Sequence, residues 1–365
     1  MENPLNTYLR HQIAADGSLS VANYMQACLV HPVHGYYMKG NPIGSKGDFI
    51  TAPEISQMFG ELIGVWCRDL WQQMGQPPSS HLIELGPGRG TLMDDLLRSC
   101  PGIFDIHMVE ISPSLRFEQQ RKLQGHSIKW HTTVDDALEA CNQGPVFIIA
   151  NEFFDALPIR QFQYANHHWC ERVITLDPET DEFCFSLKSV EQHSNFPAGD
   201  EGDIIEVSPL SHEITRKITH KICQSNGAGL IIDYGYHKST LTSTLQAVRE
   251  HAYHSILKDP GLADLTAHVN FAALGKEAVQ IGARVHGPAF QGGFLRDLGI
   301  EIRAKMLQCN HSNSHSSAIE TALERLTDPA KMGTLFKVLA ITGPSVPDPC
   351  GFTTSGFTSC TPLIH

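Results

Sequence analysis

The spacing of apolar positions changes near residue 80. Upstream, the stretch "ISQMFGELIGVWCRDLWQQM" sets Met58, Leu62, Val65, Trp66 and Leu70 near one face at helical spacing, which predicts a helical N-terminal cap over residues 1–75. From about His81, short apolar runs alternate with helix or turn signals: "HLIEL", "DIHMVE", "VFIIAN", "GLIIDYG", "RVHGPAF" and "LFKVLAI". Strands alternating with helices predict an α/β domain with a parallel, doubly wound sheet, here over residues 76–342. Within it, residues 160–207 or so read differently, because "QFQY", "WCERVITL" and "EFCFSL" are alternating strands joined by polar turns such as "DPETDE". That pattern predicts an antiparallel β insertion. Residues 343–365 have the composition of a loop-like tail.

The stretch "IELGPGRGTLMDDLLRSC", residues 83–100, joins a buried strand to a helix with Leu92, Leu96 and Leu97 on its inner side. Asp94 and Asp95 fall in the first helical turn, where the helix dipole favours them. The glycines form the turn between strand and helix. Without side chains there, a ligand can press against backbone amides at the carboxyl edge of a sheet, where open α/β folds bind cofactors. A phosphate-cradling loop needs a following Lys-Ser or Lys-Thr, which is absent. A dinucleotide fingerprint needs glycines at the first, third and sixth places, whereas here Gly86, Gly88 and Gly90 fill the first, third and fifth and Thr91 the sixth. With Glu84 preceding the turn, the spacing matches the ExGxGxG pattern of S-adenosylmethionine sites, whose ligand has an amino acid end and no pyrophosphate.

Two further strand ends point to the same crevice. "DIHMVE" ends in Glu110, a carboxylate able to accept both ribose hydroxyls of a nucleoside. "VFIIAN" runs into "ANEFFDALP", which sets Asn151, Glu152, Phe153 and Phe154 just past the sheet edge. A carboxylate such as Glu152 beside an apolar strand end is costly unless paired, so a ligand or partner is expected there.

Composition narrows the partners. The formal charge of −12, without any Lys/Arg-rich run, argues against nucleic acid and anionic membranes and leaves a cationic partner as the easier fit. Ten cysteines without a CxxC pair exclude a zinc ribbon and a thioredoxin-like motif, and read as reduced thiols. The chain has 20 histidines, yet HExxH is absent and His167, His168, His311 and His315 lie in polar stretches without ligand spacing, so no metal is expected. The start "MENPLNTYLRHQIAADG" has neither the order of a secretory signal nor the bias of a transit peptide, and no apolar run approaches the roughly 20 residues of a membrane span. A cytoplasmic protein without membrane insertion is expected.

The motifs "GDFITAPEISQMFGE", "ELGPGRGTLM", "MVEISPSLR", "ANEFFDALPIRQF", "LIIDYGY", "TLQAVR", "DPGLADLTAHV", "GPAFQGGFL" and "LFKVLAI" follow one another in an order that resembles the MidA family of class I S-adenosylmethionine-dependent methyltransferases. The resemblance spans residues 5–342 or so. It implies a Rossmann-like seven-stranded sheet with "LFKVLAI" as an antiparallel last strand, and S-adenosylmethionine as cofactor. It also implies a protein arginine substrate, since mitochondrial members are complex I assembly factors that symmetrically dimethylate an arginine of a core subunit. Ala52 stands where the family commonly has serine, Glu250 where it often has glycine, and Asn270 where it often has aspartate.

The chemistry leads to the same acceptor. A guanidinium stays protonated, with a pKa above about 12, and is a poor nucleophile. A carboxylate that forks onto its planar edge can hold one nitrogen toward a methyl donor and stabilise charge as the proton leaves. Glu152 is the candidate for that role, with Asn151 accepting an N–H and Phe153 or Phe154 stacking on the guanidinium plane. Asp48, in "GSKGDFITAPE", sits in a glycine-bounded loop able to fold over the cofactor. Two alternatives remain open: methylation of a glutamine or nucleobase amine, and an assembly scaffold that binds S-adenosylmethionine with little catalysis.

Overall fold

The computed structural model describes residues 3–39, 50–190, 196–238, 240–309 and 313–352. It divides into two compact units.

One unit, drawn from Ile50–Phe154, Ile214–His237 and Val269–His365, is built on a mixed sheet. Its main strands are β1 (Ser80–Leu85), β2 (Phe104–Val109), β3 (Ile128–His131), β4 (Val146–Asn151), β5 (Ala228–Tyr236), β6 (Arg284–Phe290) and β7 (Phe336–Thr342). Their spatial order is β6-β7-β5-β4-β1-β2-β3. Strands β1 to β5 pair in parallel, and β7 runs antiparallel to both β5 and β6. The short strand Val269–Asn270 adds a parallel pair at the end of β5. This is the seven-stranded arrangement with an antiparallel last strand. The β3 strand had no counterpart among the apolar runs, because Lys129 is exposed and its neighbours are only half-buried at the sheet edge.

The chain leaves β1 toward β2 and β3 on one side, then returns to lay β4 on the other. The carboxyl ends of β1 and β4 therefore flank a topological switch point, where open α/β sheets form their ligand crevice. One sheet face, with Leu82, Ile106, Met108, Phe147, Ile149, Leu230 and Ile232, packs under the helices Gln57–Gln73 and Thr91–Ser99. Gly60 and Gly64 let these helices approach closely: a Cβ at Gly64 would stand 2.7 Å from the Leu96 carbonyl oxygen. The helix Gln57–Gln73 buries Phe59, Leu62, Ile63, Trp66 and Cys67, more of its circumference than a solvent-facing cap can hide, and so it belongs to the sheet unit and not with residues 3–39. The first part of the tail also has a place here. Val346 is buried, the Phe352 and Phe294 rings lie 5.4 Å apart, and Arg284 Nη1 donates to the Val346 carbonyl at 2.7 Å. Residues 353–365 lie outside the described residues.

The other unit is discontinuous in sequence, gathering the described residues within Met1–Phe49, Asp155–Glu213 and Lys238–His268. The strands Arg160–Ala165, His168–Leu176, Phe183–Ser189 and Ile204–Val207 form the antiparallel insertion, and Leu19–Ser20 pairs with His168–Leu176. Gln246–Arg249, Ala252–His254 and Asp264–Thr266 make a separate antiparallel sheet. The helix Pro4–Asp16 starts on Asn3, whose side chain accepts from the Leu5 N–H, with proline at the first helical position. With Val21–Val30 it supplies Leu5, Leu9, Met25 and Leu29 to a core shared with Ile174 and Leu265.

Candidate active site

The turn after β1 requires its glycines. Gly86, Gly88 and Gly90 have φ of +62°, +53° and +76°, in the left-handed region that side chains disfavour. A Cβ on Gly86 would stand 2.8 Å from the Phe153 ring, so this glycine also admits the aromatic that follows β4. Gly90 caps the helix Thr91–Ser99.

Two acids line the turn. Glu84, the penultimate residue of β1, is buried, and burial lifts its carboxyl to about 8, helped by the negative charge of Glu110. Glu110 follows β2 and is buried as well, which raises it to about 7 against the lowering pull of its donors. Those donors include the Ser112 N–H at 2.7 Å, Gln119 Nε2 at 3.1 Å and the Ile111 N–H. Gln119 is fully buried and also donates to the Gly88 carbonyl at 2.8 Å, while its Oε1 accepts from Trp130 Nε1 at 3.1 Å. It ties the glycine turn to the Glu110 carboxylate, a role nothing in its sequence position announces.

Thr91 stands where expected, but its hydroxyl donates to Glu54 and accepts from Lys122. Arg89 bridges Glu54 and Glu118 beside it. Asp48 lies outside the described residues.

The end of β4 shapes the other wall. Glu152 has a φ of +50°, and its backbone N–H donates to the Ile232 carbonyl on β5 at 2.9 Å, which pins a strained residue to the sheet. Its Oε1 accepts from the Ala52 N–H at 2.9 Å and from Asn151 Nδ2 at 3.2 Å. The family's serine at position 52 is therefore not needed for this contact, which is made by backbone. Phe154 is buried, its N–H donating to Asp233 Oδ2 at 3.0 Å, and its ring meets Phe153 edge to face at 5.4 Å. That leaves Phe153 as the half-buried ring over Gly86.

Two other departures from the family pattern find their reasons in backbone geometry. Glu250 has a φ of +51°, the conformation a glycine adopts at no cost, in the turn between Gln246–Arg249 and Ala252–His254. Asn270 caps the helix Phe271–Ile281 by accepting from the Ala273 N–H, as an aspartate would.

Two buried acceptors at the carboxyl edge, Glu84 Oε2 and Asn151 Oδ1, have no hydrogen-bond partner among the described residues. With a side-chain-free turn between the strands that carry them, the lining is rich in acceptors. It suits a ligand that brings its own donors and positive charge. S-adenosylmethionine carries an ammonium, a sulfonium and two ribose hydroxyls, and the residues present fit it.

A model of a family of S-adenosyl-L-methionine-dependent methyltransferases matches residues 62–289. The chain is 38% identical over 376 residues to the mitochondrial protein arginine methyltransferase NDUFAF7 of Xenopus laevis, covering 93% of this chain and 84% of that protein. The Homo sapiens protein of the same name is 35% identical over 378 residues, with coverage of 93% and 84%. A Burkholderia thailandensis protein solved with bound S-adenosyl-homocysteine superposes with a TM-score of 0.83 at 26% identity, covering 96% of this chain and 95% of that one. The curated relatives are named as mitochondrial, which overturns the cytoplasmic location expected from N-terminal composition. That expectation rested on the pattern of a few residues, which tests for one kind of address and not for the compartment in which a family works. Among the described residues, no helix is long and apolar enough to cross a membrane. The family match runs through the same glycine turn that the geometry singles out, and the chain belongs to the MidA-like family of S-adenosyl-L-methionine-dependent methyltransferases, enzymes that take S-adenosylmethionine as cofactor.

Proposed function

We propose that this methyltransferase modifies an arginine guanidinium of a protein, and that the protein is a respiratory complex I subunit. The observation that carries the reading is the Glu152 carboxylate, held at the sheet edge by a left-handed backbone, the Ala52 N–H and the Asn151 amide. The naming of the relatives as protein arginine methyltransferases supports it.

In this reading Glu84, Gly86, Gly88, Gly90, Thr91 and Glu110 hold the cofactor. When bound, S-adenosylmethionine supplies a methyl group already activated on a sulfonium. The chain's task is then to align the acceptor nitrogen and exclude water. The two donors on Glu152 Oε1 fix the carboxylate plane, and a fixed carboxylate matches the planar edge of a guanidinium. Asn151 Oδ1 accepts one guanidinium N–H, and Phe153 offers a face for stacking. As the nitrogen gives up its proton, the negative charge of Glu152 stabilises the cationic product at no cost in reorganisation.

The test is methyl transfer from radiolabelled S-adenosylmethionine into a lysate lacking this protein, followed by mass spectrometry of the labelled band. Label on an arginine of a complex I subunit is the expected outcome. Label on a glutamine or a nucleobase would replace the acceptor. No label, with partner assembly still dependent on the protein, would replace the enzyme reading of this site with a scaffold.

A further inference from the structure

A second cluster of chemically able side chains lies at the opposite end of the sheet. His81 is the second residue of β1, which is buried from Ser80 on, His107 lies within β2, and Cys141 caps the carboxyl end of the helix Val134–Ala140. All three are buried, and one ligand atom of each falls within 4.8 Å of the others. Five residues of β1, about 16 Å at strand rise, separate His81 from Gly86. The cluster is therefore distinct from the cofactor crevice.

The hydrogen bonds define the tautomers. His81 Nε2 lies 2.8 Å from the Gln143 carbonyl, which can only accept, so this nitrogen carries the proton and Nδ1 is an acceptor. His107 Nε2, 3.3 Å from that Nδ1, must then be the donor, which makes His107 Nδ1 the acceptor for His131 Nε2–H at 2.9 Å. His107 is wholly buried, and its ring has one donating and one accepting nitrogen in this network, the neutral form that a metal ligand must have. The Cys141 thiol is pushed up to about 11 by burial, against the pull of Lys221 and Lys129.

We propose that His81 Nδ1, His107 Nε2 and Cys141 Sγ form a tetrahedral Zn²⁺ site, with the Asp105 carboxylate as fourth ligand. At Zn–N bonds of about 2.05 Å, the edge of a tetrahedron between two nitrogens is about 3.3 Å, the separation already present between the two imidazoles. Asp105 Oδ2 lies 4.0 Å from His81 Nδ1, on an exposed side chain free to turn inward. Ligating histidines are held by a partner on their other nitrogen, and both partners are in place: the Gln143 carbonyl for His81 and the His131 ring for His107. Two imidazoles with one thiolate and one carboxylate suit Zn²⁺, and the thiolate disfavours hard cations such as Mg²⁺. On binding, the His107 proton moves to Nδ1 and the His131 proton to its own Nδ1, so the imidazoles stay neutral. The Cys141 thiol releases its proton to solvent, and a single proton leaves per ion bound at neutral pH.

The test uses the full chain stripped of metal and titrated with Zn²⁺ or, as a coloured probe, Co²⁺. Expected are a single tight ion per chain, a thiolate-to-Co²⁺ charge-transfer band, release of about one proton per ion and a rise in Tm with Zn²⁺. Cys141→Ala should abolish the band and weaken Zn²⁺ at least 10–100-fold, the loss usual even for outer partners, while S-adenosylmethionine binding persists as the check on folding. Asp105→Asn, on an exposed position, should weaken Zn²⁺ and keep the band. A parent protein without the band overturns the site, whatever the variants do. So does a Zn²⁺ stoichiometry and Tm rise that Cys141→Ala leaves unchanged, since the ion would then sit elsewhere among the 20 histidines of the chain.

Discussion

Strand β1 carries a buried titratable side chain near each end, and the two ends treat it in opposite ways. At the amino end, all four ring nitrogens of His81 and His107 face a partner, so three imidazoles lie in and beside a sheet without an unmet bond between the first two. At the carboxyl end, Glu84 Oε2 and Asn151 Oδ1 face none among the described residues, and the carboxyls of Glu84 and Glu110 are lifted to about 8 and about 7. Burying an acceptor without a donor costs about 1–3 kcal/mol, a cost that a donor-bearing ligand in the crevice would relieve. The difference tells a crevice built for a donor-bearing cation from a network that is complete by itself and changes only by exchanging a proton for a metal ion.

The largest effect expected at the carboxyl end is on chemistry. Glu152→Gln keeps the shape and the bond from the Ala52 N–H but loses the charge, so single-turnover methyl transfer should fall about 10²–10³-fold while calorimetry finds S-adenosylmethionine binding intact. Undiminished transfer to arginine would remove Glu152 from its role. Next in size is Glu110→Ala, which should cost about 1.5–3 kcal/mol of cofactor affinity, roughly 10–100-fold, as charge-assisted bonds to the ribose are lost. Unchanged affinity would move ribose recognition to another group.

How much of this could be read in advance depended on whether the information was local. Strands β1, β4 and β5 are wholly or largely buried and so appear as continuous apolar runs, and the positive φ of Gly86, Gly88 and Gly90 leaves glycine as the natural occupant; both signals survive in one dimension. The places of Glu110 and Glu152 at the sheet edge were legible because each directly follows such a strand. The burial of Gln119 was not, for it sits on Pro113–Lys122, a mostly polar helix whose Phe117 is exposed, so that no apolar stripe marks the face that buries Gln119. Glu54, which holds Thr91 and Arg89, lies 37 and 35 residues before them and meets them only in space. His81 and His107, 26 residues apart, were equally invisible to a search for ligand spacing, because strand pairing and not sequence distance brings them together. The N-terminal helices posed the same problem, since their strand partners lie more than a hundred residues away.

The raised acids predict a pH dependence smaller than either substitution effect for each unit of pH. Glu84 has an ordinary value of 4.5 and titrates at about 8 in the folded protein, so between these the unfolded chain ionises while the folded one stays neutral. Stability is thus fully present below about pH 4.5 and is lost as pH rises toward 8. The loss is at most about tenfold in the unfolding constant per unit for one proton. Urea unfolding of the ligand-free protein from pH 5 to 9 should show this fall, ending earlier in Glu84→Gln, where the highest remaining raised carboxyl is Glu110 at about 7, with Asp95 below it at about 6. A slope that Glu84→Gln leaves untouched would show that the carboxyl is not held neutral, and the contrast between the two ends of β1 would lose its electrostatic half.

The smallest effect expected is also the most specific to the crevice. Gln119→Met keeps length and fills the same space, but removes the amide that donates to the Gly88 carbonyl and Glu110 Oε2 and accepts from Trp130 Nε1. Because Gln119 bonds both the turn and the Glu110 carboxylate, its loss should weaken S-adenosylmethionine by about 1 kcal/mol, roughly fivefold. The maximal rate with saturating cofactor should stay near that of the parent. A merely structural role would lower stability and leave both KM and the Glu110 titration alone. The positioning role predicts instead a raised KM for cofactor and a Glu110 carboxyl moved further upward, since one of the donors that lower it is gone. Full rescue by Gln119→Glu is not expected, because a second carboxylate would face Glu110 where the amide now donates. A KM unchanged in Gln119→Met would reduce Gln119 to packing and leave the glycine turn and Glu110 as independent halves of the site.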